Sequence, residues 1–291
     1  MRISALLIAI VGLFSLYALH ACLRHRREGD PILLHFKRWP GKNGPLKPGL
    51  ALRLRDTPEL GGFDVRSDER RIREIPFLSV ERSLWLTRGA DTVLIEIEVV
   101  VTSTDEAQEA LFRKATTTSM ADVDHIYRWG KEIGVDVGDM NLVPRGMREE
   151  DLGALRVLDF VRNNVRVQIR GSIPVLDLAR RIDFKIRAQP DVSPEGLLAR
   201  APVIVTFTPS ACSVPILSSV PIHLVAHDPA GQSLEYEFES STGKVERRGG
   251  HSDDPTTFFT NHESGTASLK VTCFSESLLF QTATTQIEVF E

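Results

Sequence analysis

The chain has 291 residues, of which 42% are hydrophobic and 25% charged, and its formal net charge is −4. These proportions are typical of a globular protein and exclude a fibrous or disordered chain. The mildly acidic balance excludes a generally basic surface of the kind used to bind nucleic acid. The three cysteines, Cys22, Cys212 and Cys273, are too few for a disulfide-rich scaffold or a four-cysteine zinc site.

The N-terminus is predicted to attach the chain to a membrane. Residues 3–23 are almost continuously apolar, and about 20 such residues span the hydrocarbon core of a bilayer. Within them, Leu19-His20-Ala21-Cys22 resembles the lipobox of bacterial lipoproteins, and this resemblance implies a lipid on Cys22. An uncleaved anchor and an ordinary cleaved signal peptide are the alternatives. Residues 1–23 are therefore assigned to a signal peptide or anchor, in contact with the membrane through residues 3–23 or a lipid on Cys22.

A basic spacer is predicted over residues 24–75. The segment contains several prolines and the pair Gly61-Gly62, and its apolar residues occur in short runs such as Leu50, Leu52 and Leu54. Because proline and paired glycines interrupt regular structure, we expect one or two edge strands here at most. Such a spacer would hold the folded domains away from the membrane.

Residues 76–190 are predicted to form an α+β domain with the element order β-α-α-β-β-α. Its helices are expected on one face of an antiparallel or mixed sheet. The first strand covers residues 92–101, where alternate residues form an apolar face. A hairpin covers residues 155–171, because Asn163-Asn164 tolerates the positive φ angles of a tight turn.

Three helices are predicted in this domain. Ser103 and Glu106 have the spacing of a capping box at the start of the first helix. The second helix covers residues 121–133 and ends at Gly134, and the third covers residues 174–186. The apolar stripe of the third helix consists of Val175, Leu178, Ala179, Ile182 and Ile186.

The C-terminal part loses helical periodicity after a linker over residues 191–202. Short alternating segments separated by turns predict a β-sandwich of about seven strands over residues 203–291. The segments VPIHLVAHDPAGQSLEYEFESSTGKV and GTASLKVTCFSES, with the last strand TTQIEVF, resemble the PKD and related Ig-like domains of surface proteins. That resemblance implies an all-β sandwich that serves as a spacer or binding module outside cells.

Glu96 and Glu98 are the best candidates for chemistry on the predicted sheet. Their carboxylates lie about 7 Å apart on one face of a strand, a separation found in inverting glycosidases. The alternative is surface ion pairing, in which Arg166 and Arg170 lie opposite them on a neighbouring strand. Since no local motif ties a histidine or a further carboxylate to the pair, no residue is assigned to catalysis.

Metal binding has two candidates in the sequence. His223 and His227 lie about 13 Å apart on a predicted strand, which is too far for one zinc ion. Asp253 and Asp254, with Asp228 at the same end of the sandwich, offer the hard oxygen ligands that suit calcium, although such aspartates more often form polar turns. No metal or other cofactor is predicted.

Cys212 and Cys273 have two interpretations. In an oxidising compartment, a bond between them would close a loop of about sixty residues and stabilise the fold by about 4 kcal/mol. As buried thiols they would instead act as small hydrophobic residues. Cys273 is in phase with Leu269 and Val271 and is expected in the sandwich core.

These features predict a membrane-attached binding or scaffolding protein that faces the periplasm or the cell exterior, with a protein or polysaccharide as ligand. The alternative is an extracytoplasmic hydrolase with its site in the α+β domain or at the domain junction. A deep polar pocket near Glu96 or His125 would favour the hydrolase, and a flat charged sheet face would oppose it. Arg24, Arg26 and Arg27 follow the apolar run, and the positive-inside rule would place the C-terminal part in the cytoplasm.

Overall fold

The computed structural model describes residues 44–74, 78–111, 127–247 and 255–291. Within these ranges no helix is long and apolar enough to cross a bilayer. The apolar N-terminal run, Cys22 and the arginines that follow it lie outside the described residues.

Seven strands form the larger sheet. They are β1 (Asp64–Arg73), β2 (Ser79–Arg88), β3 (Asp91–Val100), β4 (Tyr127–Trp129), β5 (Met140–Pro144), β6 (Val157–Arg162) and β7 (Val165–Gly171). Their order in the sheet is β1-β2-β3-β7-β6-β5-β4, and all neighbours are antiparallel. Because β3 pairs directly with β7, two hairpins distant in sequence lie side by side, and β1 is left at one edge.

Helix α2 (Leu176–Arg187) packs against one face of this sheet. Its predicted apolar stripe is buried in the same core as alternate residues of β3, from Val93 to Val99. Residues three or four apart lie on one face of a helix, and alternate residues lie on one face of a strand. The apolar faces that α2 and β3 form in this way pack together.

Two local predictions in this region are confirmed. Asn163 has φ 52° in the turn that joins β6 to β7. Helix α1, described over residues 104–111, begins after Ser103, whose Oγ accepts a hydrogen bond of 3.2 Å from the backbone N–H of Glu106.

The expected spacer over residues 24–75 needs correction in its described part. Leu50, Leu52 and Leu60 are buried in the core of the large sheet, whereas the ten-residue strand β1 lies at the sheet edge, as expected for this segment. Proline and glycine interrupt regular secondary structure but do not prevent burial. An irregular segment with a few leucines therefore covers the sheet, and the folded part includes residues 44–74.

The second predicted helix, over residues 121–133, also differs from the structure where it is described. Tyr127–Trp129 forms strand β4, which pairs with β5, and Gly130–Ile133 forms a single 3-10 turn. Sheet pairing outweighs a helical pattern that is short and weakly capped. Gly134 ends the turn with φ 81°, in the left-handed conformation predicted for it.

The C-terminal strands form two sheets packed in a sandwich-like arrangement. The strands are β8 (Val203–Pro209), β9 (Ser213–Pro215), β10 (Ser219–His227), β11 (Leu234–Ser240), β12 (Lys244–Arg247), β13 (Thr256–Phe259), β14 (Gly265–Ser275) and β15 (Phe280–Phe290). The first sheet has the order β12-β13-β10-β8 and the second β11-β14-β15-β9, with β9 and β15 parallel. Both sheets contribute to one apolar core.

Buried contacts join the large sheet to the sandwich. Leu278, in the turn between β14 and β15, is buried in the core of the large sheet. The predicted linker contains helix α3 (Pro194–Leu198), whose Leu197 is buried in a cluster with Leu46 and Leu279. Residues 43–291 consequently form a single compact unit.

Candidate functional site

The face of the large sheet that points away from α2 contains a buried ion network. Arg166 donates to Glu98 at 3.0 Å and to Asp159 at 2.9 Å and 3.2 Å. Ser79 Oγ donates to the other oxygen of Glu98 at 2.9 Å, and Gln168 Nε2 donates to Asp159 at 3.1 Å. Each carboxylate oxygen of Glu98 therefore accepts a hydrogen bond within the protein.

This network is a structural element of the sheet. Burial opposes the charge of Arg166, but the adjacent carboxylates of Asp159 and Glu98 outweigh it and raise the pKa of this arginine. The pairing of Glu98 with Arg166 across neighbouring strands is confirmed. The prediction that this pair lies on a solvent-exposed face is wrong, since both residues are buried. Both carboxylate oxygens of Glu98 are thus engaged in the buried network of the sheet.

Glu96 borders a small groove on the same face. The groove has a volume of about 150 Å³ and includes Ser83 and two ion pairs. Arg71 contacts Glu69 at 3.0 Å, and Arg73 contacts Glu81 at 2.5 Å. This surface is the charged sheet face that opposes a hydrolase site at Glu96, while His125 lies outside the described residues.

A larger groove of about 590 Å³ lies between the large sheet and the sandwich, and we call it the junction groove. One wall is the C-terminal half of β1, with Arg70, Arg71 and Ile72, followed by Glu74. Because successive strand residues point to opposite faces, three consecutive lining residues show that the backbone edge of β1 borders the groove.

The other wall of the junction groove is the outer surface of the second sandwich sheet. The residues on this wall are Glu237 and Glu239 of β11, Lys270 and Thr272 of β14, and Phe280 and Thr282 of β15. Phe280 and Ile72 also pack against the core of the large sheet, so the groove combines an apolar floor with charged rims.

Three cations, Arg70, Arg71 and Lys270, and three carboxylates, Glu74, Glu237 and Glu239, line the junction groove. Arg71 pairs with Glu69, which lies outside the groove, at 3.0 Å. Arg70 forms two hydrogen bonds with Glu235, one of them 2.9 Å long. Lys270 pairs with Glu239 at 3.0 Å. Within the described parts of the chain, Glu74 and Glu237 form no ion pair, so two carboxylates remain uncompensated.

One of these carboxylates, that of Glu237, has a shifted pKa. Partial burial raises the pKa of Glu237, and the negative charges of Glu239 and Glu235 act in the same direction, whereas the positive charges of Arg70 and Arg71 oppose the shift. An arriving positive charge would relieve this repulsion, so the electrostatics of the groove favour a cation.

The remaining sequence candidates that the structure describes form no metal-binding cluster. His223 and His227 are exposed and alternate with buried residues on β10. Asp228 accepts hydrogen bonds from the backbone N–H groups of Ala230 and Gln232, as a turn residue does. Asp253 and Asp254 lie outside the described residues, and the described part of the chain holds no cluster of three metal-ligating side chains.

Cys212 and Cys273 are free thiols, the first exposed and the second buried. Cys212 accepts a backbone hydrogen bond from Glu288, whereas Cys273 pairs with Gln281 seven residues earlier on β15. Seven strand residues correspond to about 23 Å, which far exceeds the Cα separation of a disulfide.

No protein-family model matches the chain, and neither does any curated protein. The functional inference therefore depends on the geometry of the junction groove. Sequence patterns missed this groove, because its walls come from β1 and from β11, β14 and β15, which lie far apart along the chain. The one sequence feature that points to this groove is the high density of charged residues in β1, and such a density is also typical of a solvated segment.

Proposed function

We propose that this protein is a membrane-attached binding or scaffolding protein outside the cytoplasm, and that it holds its ligand in the junction groove. The observation that carries the proposal is the groove itself, which is open and has walls from both the large sheet and the sandwich. Neither this groove nor the one at Glu96 has a described histidine or cysteine among its lining residues. The junction groove combines charged rims with an apolar floor, a combination that suits binding of a ligand.

The arrangement of the sandwich strands supports an Ig-like domain. Constant-type immunoglobulin domains place the first, second, fifth and fourth strands in one sheet and the third, sixth and seventh in the other. If β9 is counted as the continuation of β8, the orders β12-β13-β10-β8 and β11-β14-β15-β9 follow that scheme. Ig-like domains are common in binding proteins of cell surfaces, which agrees with the proposed function.

The apolar run over residues 3–23 supports attachment to a membrane, and the Ig-like arrangement supports an external location. The mass of the N-terminal peptide from the native membrane tests the attachment. A diacylated peptide that begins at Cys22 supports an exported lipoprotein, and a peptide that begins at Met1 supports a retained anchor. A soluble chain without either peptide contradicts attachment.

Protease added to intact spheroplasts tests the orientation. Digestion of the folded part supports the external location. Protection that disappears only after lysis would support the orientation that Arg24, Arg26 and Arg27 favour, with the folded part in the cytoplasm.

A charge placed in the groove tests the binding function. We expect T282R to abolish binding because Thr282 lines the groove, whereas Q286R, an exposed position about 13 Å away on the same strand, serves as the matched control. Full-length protein in non-ionic detergent is screened against arrays of cell-wall polysaccharides and of random peptides. Equal binding of wild type, T282R and Q286R would exclude the groove, and no binding by wild type would contradict the function.

A further inference from the structure

We propose that the junction groove binds an extended, basic polypeptide segment that adds as a strand to the open edge of β1. This inference rests on the proposed binding function and names the class of its ligand. It is carried by three features of the groove: an open strand edge, two carboxylates that form no ion pair among the described residues, and an apolar floor.

The first feature is the open edge of β1. In the described part of the chain β1 pairs only with β2, and no backbone hydrogen bond joins its other edge to the sandwich. In an antiparallel pair, alternate residues direct both N–H and C=O away from the partner strand. A ten-residue strand such as β1 therefore offers about five residues whose backbone groups are open to another chain.

The position of a β-bulge indicates which half of β1 can pair with an added strand. The register of β1 against β2 shifts between Val65 and Ser67, near the N-terminal end of the strand. From Ser67 to Arg73 the pairing is regular, and this half contains the residues that border the groove. Bulges and charged side chains hinder indiscriminate pairing of edge strands, so an added strand needs complementary charges.

The second feature decides the sign of those charges. Arg70, Arg71 and Lys270 are already paired with Glu235, Glu69 and Glu239 respectively. An acidic ligand would therefore meet no unpaired cation among the lining residues. Glu237 and Glu74 have no such partner among the described residues and face an incoming side chain from opposite walls. Lysine or arginine in the ligand would pair with them, which favours a basic segment.

The third feature favours a polypeptide over a polysaccharide. Ile72 and Phe280 form an apolar floor beside the strand edge. An extended peptide presents side chains alternately to two faces, so an apolar residue can contact this floor while its backbone pairs with β1. A polysaccharide has no regular row of amide groups to match the edge.

The test uses fluorescent peptides and full-length protein in non-ionic detergent, with anisotropy as the readout. A short peptide of alternating lysine and valine is expected to bind, and its counterpart of alternating glutamate and valine is not. Higher salt should weaken binding, because the attraction is partly between exposed charges. Failure of the basic peptide to bind, or equal binding of both peptides, overturns the inference.

Glu237 provides the test of the charge. E237K is expected to weaken binding of the basic peptide about tenfold, whereas E288K, which makes the same charge change at an exposed position on β15 outside the groove, leaves it unchanged. If E237K does not fold, E237Q is used, and a smaller loss is expected. An unchanged affinity in a folded Glu237 variant contradicts the inference.

N-methylation of the peptide provides the test of strand addition. In an added strand, the N–H groups of every second residue donate to β1, and those of the residues between them point away. Methylation of the first set of nitrogens should abolish binding, whereas methylation of the second set should be tolerated. Tolerance of both sets overturns strand addition. If a polysaccharide binds wild type but not T282R, and no peptide binds, the proposed function stands and this inference fails.

Discussion

Asp68, whose side chain is only partly buried, shows how charges are stabilised by pairing in this fold. Arg82 donates to its carboxylate at 2.8 Å and 2.6 Å, and Arg70 lies 3.6 Å from the same group. Burial of an ion costs several kcal/mol, which bidentate geometry of this kind offsets. Removal of the Asp68 carboxylate should therefore lower the free energy of unfolding more than removal of an exposed ion pair such as Asp177 with Arg180.

Asp68→Asn should lower stability in a pH-dependent way. Burial opposes ionisation of Asp68, but the hydrogen bonds and charge of Arg82, with Arg70, outweigh it and hold its pKa below the ordinary value. The stabilisation is then complete above about pH 4 and is lost as the pH falls through the lowered pKa. We expect a loss of about 1–3 kcal/mol at neutral pH that shrinks in acid. Urea unfolding of both proteins measures this difference, and a deficit independent of pH would contradict the assignment.

Cys273 should be chemically inert in the native protein. Burial in the sandwich core raises the pKa of this thiol to about 12, although Arg247 opposes the shift. The corresponding stabilisation is complete below about pH 8.5, the ordinary thiol value, and is lost as the pH rises towards 12. Iodoacetamide near pH 8 should modify exposed Cys212 and spare Cys273 until urea is added. Peptide mass spectrometry checks this, and rapid native modification of Cys273 would refute it.

At the scale of elements, the turn between β14 and β15 is shaped by its packing. Leu278 has φ 65° and is completely buried, although the left-handed conformation costs a leucine about 1–2 kcal/mol. Burial of its side chain in the core of the large sheet offsets this cost. The segment of residues 44–60 packs against this turn at Gly49. Gly49 has φ 99°, and the backbone of Ser277 leaves no room for a side chain there.

Gly49→Ala should be strongly destabilising. An added Cβ would lie 1.8 Å from the carbonyl oxygen of Ser277, so the backbone would have to move. Gly89, with φ 59° and open space around it, is the matched control in which only the conformational cost of about 1–2 kcal/mol remains. Thermal unfolding of both variants measures the difference. Equal losses would show that residues 44–60 do not pack against the turn as described.

Sequence patterns predicted the elements whose determinants are local. The turn at Asn163-Asn164 and the stripe of α2 depend on neighbours in sequence, and both are confirmed. The pairing of Glu98 with Arg166 followed from matching charges on two predicted strands. The burial of that pair and the junction groove could not be predicted, because both depend on elements that meet only through the tertiary fold.

At the scale of the whole molecule, the large sheet and the sandwich share buried contacts. Leu278 from the sandwich enters the core of the large sheet, and Leu46, Leu197 and Leu279 form a cluster between them. Two units that share a core stabilise each other, so they should unfold together.

Calorimetry should show one cooperative transition for residues 43–291. Leu278→Ala should lower stability by about 2–5 kcal/mol and broaden or divide that transition, because it weakens the contact between the two halves. Leu217→Ala is the matched control, since Leu217 has a similar φ of 53° but is 63% exposed. Two separate transitions in the wild type would contradict the shared core.

Hydrogen exchange along β1 tests the binding account most directly. Full-length protein in non-ionic detergent is compared with and without a saturating concentration of the basic lysine–valine peptide. We expect slower exchange at about half of the amides between Ser67 and Glu74, with no change in β10, which lies in the sandwich sheet that does not line the groove. Unchanged exchange along β1, together with new protection elsewhere on the saturated protein, would contradict the junction groove as the binding site.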